Sequence, residues 1–161
     1  MKLLFALFVF CCASCTTIAQ EGRLPATRPA DMILTYHFDG GMQYYSEDLS
    51  IGKDSCVFTK NDEGKKTSHH FTLSSMELDV LYEKLQSNKF DMIKSKKSQV
   101  DDRGGISITV SWDKRRKSII VSDAQSSFVE KDWQQQWQTV CNYLLAILQN
   151  KVKGVEVKIK G

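Results

Sequence analysis

Residues Gly104 to Asp123 most constrain what this chain can fold into. Ile106, Ile108, Val110 and Trp112 alternate with Ser107, Thr109 and Ser111, the period-2 pattern of a strand buried on one face. A charged tip, Asp113-Lys114-Arg115-Arg116-Lys117, leads into a β-branched return over Ser118 to Ser122, so the stretch predicts a hairpin. Both flanks lead to amphipathic helical patterns, and such helices need a sheet to lie on.

Upstream, Met32, Leu34, Tyr36 and Phe38 alternate with Ile33, Thr35 and His37 as a first strand. Asp39-Gly40-Gly41 turns the chain, because glycine supplies the positive φ of a tight hairpin. A second strand opens over Met42 to Tyr45, is expected to bulge at Glu47-Asp48, and resumes at Leu49 and Ile51. After a turn at Gly52-Lys53-Asp54, Ser55 to Lys60 and Lys65 to Leu73 predict a second hairpin around Asn61 to Gly64.

Ser74 and Glu77 form a capping box that opens a helix with the stripe Leu78, Leu81, Tyr82, Leu85. Asn88 suits its end, and Lys94 to Arg103 reads as a charged loop. A second helix is expected between Ser127 and Lys151, capped by Ser127 with Glu130 or, if shorter, by Asp132. Trp133, Trp137, Val140, Cys141, Leu144 and Leu148 recur along it at helical spacing. Gly154 breaks the pattern, and Val155, Val157 and Ile159 alternate as a final strand. The order ββββαββαβ predicts an α+β two-layer sandwich, a mainly antiparallel sheet with two helices packed on one face.

The N-terminus is read separately. Met1-Lys2 precedes the apolar run Leu3 to Ala13, which is too short to span a bilayer as a helix and has the form of a signal peptide. Cys12-Ala13-Ser14-Cys15 resembles a bacterial lipobox, which implies removal of residues 1–14 and a lipid on Cys15. Thr17-Ile18-Ala19 before Gln20 is the competing site, giving a signal peptide of residues 1–19. Either reading exports the chain, to the cell envelope as a lipoprotein or as a secreted protein. Residues 20–30, with Pro25 and Pro29, are expected to be a flexible tether, and residues 31–161 a single domain. The net charge is +3, and loss of Lys2 leaves +2, too slight to imply a nucleic-acid partner. Cys56 and Cys141 lie in apolar patterns and are expected as buried free thiols, although export permits a bridge.

No reactive constellation emerges from spacing. His69 and His70 are adjacent in a predicted strand and point to opposite faces, and His37 has no zinc-type neighbours. Asp101-Asp102-Arg103-Gly104-Gly105 lacks the alternating acids of a calcium loop and reads as a turn. No catalytic residue, cofactor or metal is therefore expected. Two surfaces are candidates for a partner: Tyr44 and Tyr45 beside the glycine turn for a protein contact, and the basic tip Lys114, Arg115, Arg116, Lys117 for anionic lipid headgroups or an acidic partner. For the tyrosines, one of the pair facing the core is the alternative; for the tip, a solvated hairpin end. The rival to protein binding is a carrier of a small hydrophobic molecule or lipid, held between sheet and helices near Trp133, Trp137 and Tyr82.

The Gly40-Gly41 turn, the helix ending in Asn88-Lys89-Phe90-Asp91, the Ile-x-Ile-x-Val hairpin ending in Val121-Ser122-Asp123 and the last amphipathic helix together resemble emfourin-like domains. The likeness spans Met32 to Leu148. It implies a small α+β domain, a protease-inhibitor-like role and an extracytoplasmic metalloprotease as partner, with no inhibitory residue assigned.

Overall fold

A computed structural model describes residues 22–40, 44–97 and 103–153. The expectations for residues 1–21, including Cys15, and for the final strand after Gly154 lie outside these residues. The fold is α+β. Strands β1 (Ile33–Asp39), β2 (Tyr45–Ile51), β3 (Cys56–Asp62) and β4 (Lys65–Phe71) precede helix α1 (Ser75–Ser87). A short β5 (Ser95–Lys97), then β6 (Gly105–Trp112), β7 (Lys117–Asp123), β8 (Ser127–Val129) and helix α2 (Gln134–Lys151) complete the described chain. Six strands form one sheet in the order β4-β3-β2-β1-β6-β7, with every pairing antiparallel. β5 and β8 pair as a separate ribbon.

Alternation decides which face is covered. Leu34 and Tyr36 of β1, Leu49 and Ile51 of β2, Cys56 and Phe58 of β3, and Ile108 and Val110 of β6 share the inner face. Against them pack Leu78, Leu81, Tyr82 and Leu85 of α1, and Trp137, Val140, Cys141, Leu144 and Leu148 of α2. Full burial of a Leu, Ile or Phe side chain contributes about 1.5–3 kcal/mol, so this shared interface dominates the stability.

Four expectations are corrected. β2 runs without a bulge: His37 and Phe38 face Asp48 and Glu47 on one side, and Thr59 and Lys60 face them on the other. Ser127 does not open α2. It pairs with Lys97 in the β5–β8 ribbon, its hydroxyl donates to the Ala124 carbonyl, and the helix starts at Gln134 after a 3₁₀ turn, Lys131–Trp133. Asp132 is likewise not the cap; Trp133 holds that position with no side-chain capping bond. The loop from Lys94 contains β5.

The described part of the expected tether, residues 22–30, is bonded to α1 and to the 3₁₀ turn that follows it. The Leu24 N–H donates to Asp91 Oδ2 at 3.3 Å, and the Pro25 carbonyl accepts from Tyr82 Oη at 2.6 Å and Gln86 Nε2 at 2.8 Å. Arg28 Nε reaches Asp79 at 2.7 Å. These long-range bonds fix the direction in which the chain enters the domain.

Candidate functional site

The two candidate surfaces lie at opposite ends of the sheet. Tyr44 and Tyr45 flank β2 where it meets the Asp39 end of β1, whereas the basic tip follows Trp112, beside the Ile33 end of β1. A seven-residue strand separates them, about 20 Å at strand rise. They cannot form one compact patch.

The tyrosines also divide. Tyr44 is 87% exposed and Tyr45 is 6% exposed, so Tyr45 is withdrawn from the partner surface. Its parity explains this: Tyr45, Glu47, Leu49 and Ile51 all point inward. At the basic tip, Asp113, Lys114 and Arg115 all adopt left-handed φ, unusual for residues other than glycine. The turn is held by Arg116 on Asp113 at 2.6 Å and by the Lys114 N–H on Asp31 at 2.7 Å. Lys114, Arg115, Arg116 and Lys117 remain exposed.

The inner face carries a polar feature that the sequence reading missed. Glu47 is fully buried, and Tyr45 Oη donates to its Oε1. Phe38 meets the Tyr45 ring edge-on at 5.9 Å, and Lys60 Nζ lies 5.1 Å from the same ring. Tyr36 Oη is buried nearby with no hydrogen-bond partner among the described residues. Burial first, and the Glu47 charge second, push the Tyr36 phenol well above its ordinary range. Cys141 is pushed up to about 12, by burial and then by Asp123, and burial raises Cys56 too. Both thiols are buried and unbridged, and their burial disfavours the thiolate, which is the reactive form.

The histidines fall on separate faces. His69 stacks on Phe58 at 6.5 Å on the inner face, while His70 is exposed and His37 Nδ1 meets Asp48 Oδ1 at 2.8 Å. Among the described residues no group of three or more His, Cys, Asp or Glu is placed to hold a metal ion.

The two edges of the sheet differ. β7 is backed by the β5–β8 ribbon: Ser122 N–H donates to Ser95 Oγ, and Asp123 Oδ1 accepts from both Arg103 and the Val129 N–H. β4 has β3 as its one sheet neighbour, so its outer edge is open among the described residues. Its seven residues are all exposed or half-buried. Lys65, Lys66, His69 and His70 give it basic side chains on both faces, with no acid within the strand. Edge strands present unpaired N–H and C=O groups, which makes β4 a template for another chain.

The surface also carries depressions, one on a face of the central strands and one beside the β7 edge. One, of about 270 Å³, lies on the uncovered outer face between Thr35, His37, Asp48, Ser50, Val57 and Thr59. The other, of about 710 Å³, lies beside β7 and includes Trp133, Met92, Ile120 and Gly22. Of the three residues expected to line a gap between sheet and helices, two are buried and one lies at the surface. Trp137 and Tyr82 are closed into the core, Tyr82 by its bond to Pro25, and Trp133 alone lines the cleft. No protein-family model and no curated protein matches this chain.

Proposed function

We propose that this chain is an exported, membrane-tethered binding domain that takes an extended acidic segment of a protein partner as an added strand on β4. The observation that carries this is the β4 edge, open among the described residues, with its Lys65, Lys66, His69 and His70 side chains. In such recognition the main-chain hydrogen bonds supply affinity and the alternating side chains supply selectivity. The lysines disfavour pairing with another basic edge and favour an acidic one, so one device serves both solubility and choice of partner. The tether is the acylated Cys15 implied by the lipobox-like sequence. An extracytoplasmic metalloprotease is the partner class that the emfourin-like resemblance implies; titration of thermolysin-type activity with the protein tests that variant.

The direct test is titration by fluorescence anisotropy of a labelled extended peptide of alternating valine and glutamate. Binding should weaken as salt screens the exposed charges. Reversal of Lys65→Glu with Lys66→Glu should weaken it at least about tenfold, equivalent to ~1.4 kcal/mol. The same double variant should gain affinity for a valine–lysine peptide. Equal affinity of wild type and variant for the acidic peptide would contradict the proposal.

A further inference from the structure

We infer that the cleft beside β7 is the face this protein lays on the membrane surface, an inference that rests on the reading that Cys15 carries the lipid anchor. Gly22 forms part of the cleft wall. From there the chain is pinned in sequence by the Leu24, Pro25 and Arg28 contacts already described, so the point where it enters the domain is fixed. Only seven residues separate Cys15 from Gly22, a reach of at most about 25 Å even if fully extended. A domain of this size is roughly 36 Å across. The leash is therefore shorter than the domain, and the wall containing Gly22 must lie near the bilayer.

What that wall offers suits an interface. Ile120 is 66% exposed and Met92 42% exposed, and Trp133 is half-buried between them and the core. Tryptophan beside exposed aliphatic side chains is the composition favoured at the headgroup level. Arg23 and Lys94 add positive charge in the same cleft. Of its two acids, Glu130 is paired with Lys96 at 3.6 Å, and Asp91 accepts from the neutral Leu24 N–H. The placement also fits the proposed partner site. β7 and β4 are opposite edges of a six-stranded sheet, about 24 Å apart at ordinary strand spacing. A membrane at the β7 side leaves the β4 edge directed away from it.

The experiment uses the full mature protein, acylated in its producing cell, reconstituted into anionic phospholipid vesicles with bromine-labelled acyl chains and separated by flotation. Floated wild type should lose the emission of Trp133 while the buried Trp112 and Trp137 keep theirs, and Trp133→Phe should remove the quenchable component. Met92→Asp with Ile120→Asp should float equally and lose the quenching. Protein that floats but shows no quenching overturns the orientation and leaves the anchor standing. Protein that does not float overturns the anchor reading and this inference with it.

Discussion

Lys151 Nζ lies 2.7 Å from Glu77 Oε1, tying the last turn of α2 to the first turn of α1. The other oxygen of the same carboxylate accepts from the Ser74 N–H at 2.7 Å and from the Ser74 hydroxyl at 2.9 Å. One side chain thus closes a helix cap and clamps two helices. The Lys151 contact first, and the Ser74 bonds next, hold the Glu77 carboxyl down at about 2, against an ordinary 4.5. A depressed carboxyl contributes stability that is present above about pH 4.5 and lost as pH falls toward 2. Melting temperatures across that window should fall for the wild type and change less for Glu77→Gln.

The Tyr45 hydroxyl serves the buried Glu47 carboxylate rather than a partner surface. Removing one partner of a buried hydrogen bond costs about 1–3 kcal/mol, and Tyr45→Phe should cost an amount of that order in denaturant unfolding. Tyr44→Phe, at an exposed position, should leave stability within about 0.5 kcal/mol of wild type.

Gly105 is required by space rather than by turn geometry. A Cβ there would stand 2.0 Å from the Asp123 carbonyl oxygen and 2.9 Å from Ala124 Cα, both backbone atoms. Gly105→Ala should cost at least about 1–3 kcal/mol by overpacking. At Gly52 a Cβ would meet the Ser55 carbonyl oxygen at 3.4 Å, so Gly52→Ala should be milder. Thermal unfolding of the two variants checks the contrast.

Cys141 predicts an alkaline limit. Its thiol is held neutral by burial up to about 12, against an ordinary 9.0, so the folded state keeps a proton that the unfolded chain releases. That contribution is whole below about pH 9 and is lost as pH rises toward 12. Tyr36 acts in the same direction above its ordinary 10.0. Urea midpoints should therefore fall through this range, and Cys141→Ala should flatten part of the fall. At neutral pH, a thiol reagent should label Cys56 and Cys141 only on unfolding.

Much of the fold was legible because period alone sorts most side chains. The stripe Leu78, Leu81, Tyr82, Leu85 is the buried face of α1, and Trp137, Val140, Cys141, Leu144 and Leu148 that of α2. Where the reading failed, a distant contact outweighed a local signal. Ser127 looks like a cap, but Val129 is buried by pairing across to Ser95. In residues 22–30, composition does not show that carbonyls and Arg28 find partners on α1. Glu47 was legible in principle: it shares the inward parity of Tyr45, Leu49 and Ile51, which the expected bulge at Glu47-Asp48 would have broken. The β4 edge was not legible, because a strand becomes an edge through sheet order, which the local pattern of Lys65 to Phe71 does not contain.

The account stands most directly on hydrogen exchange of the backbone amides with and without the acidic valine–glutamate peptide. Added protection should fall within β4, Lys65–Phe71, and leave β7, Lys117–Asp123, unchanged. No added protection in β4 at saturating peptide, or protection centred on β7, would contradict a strand-adding partner at this edge.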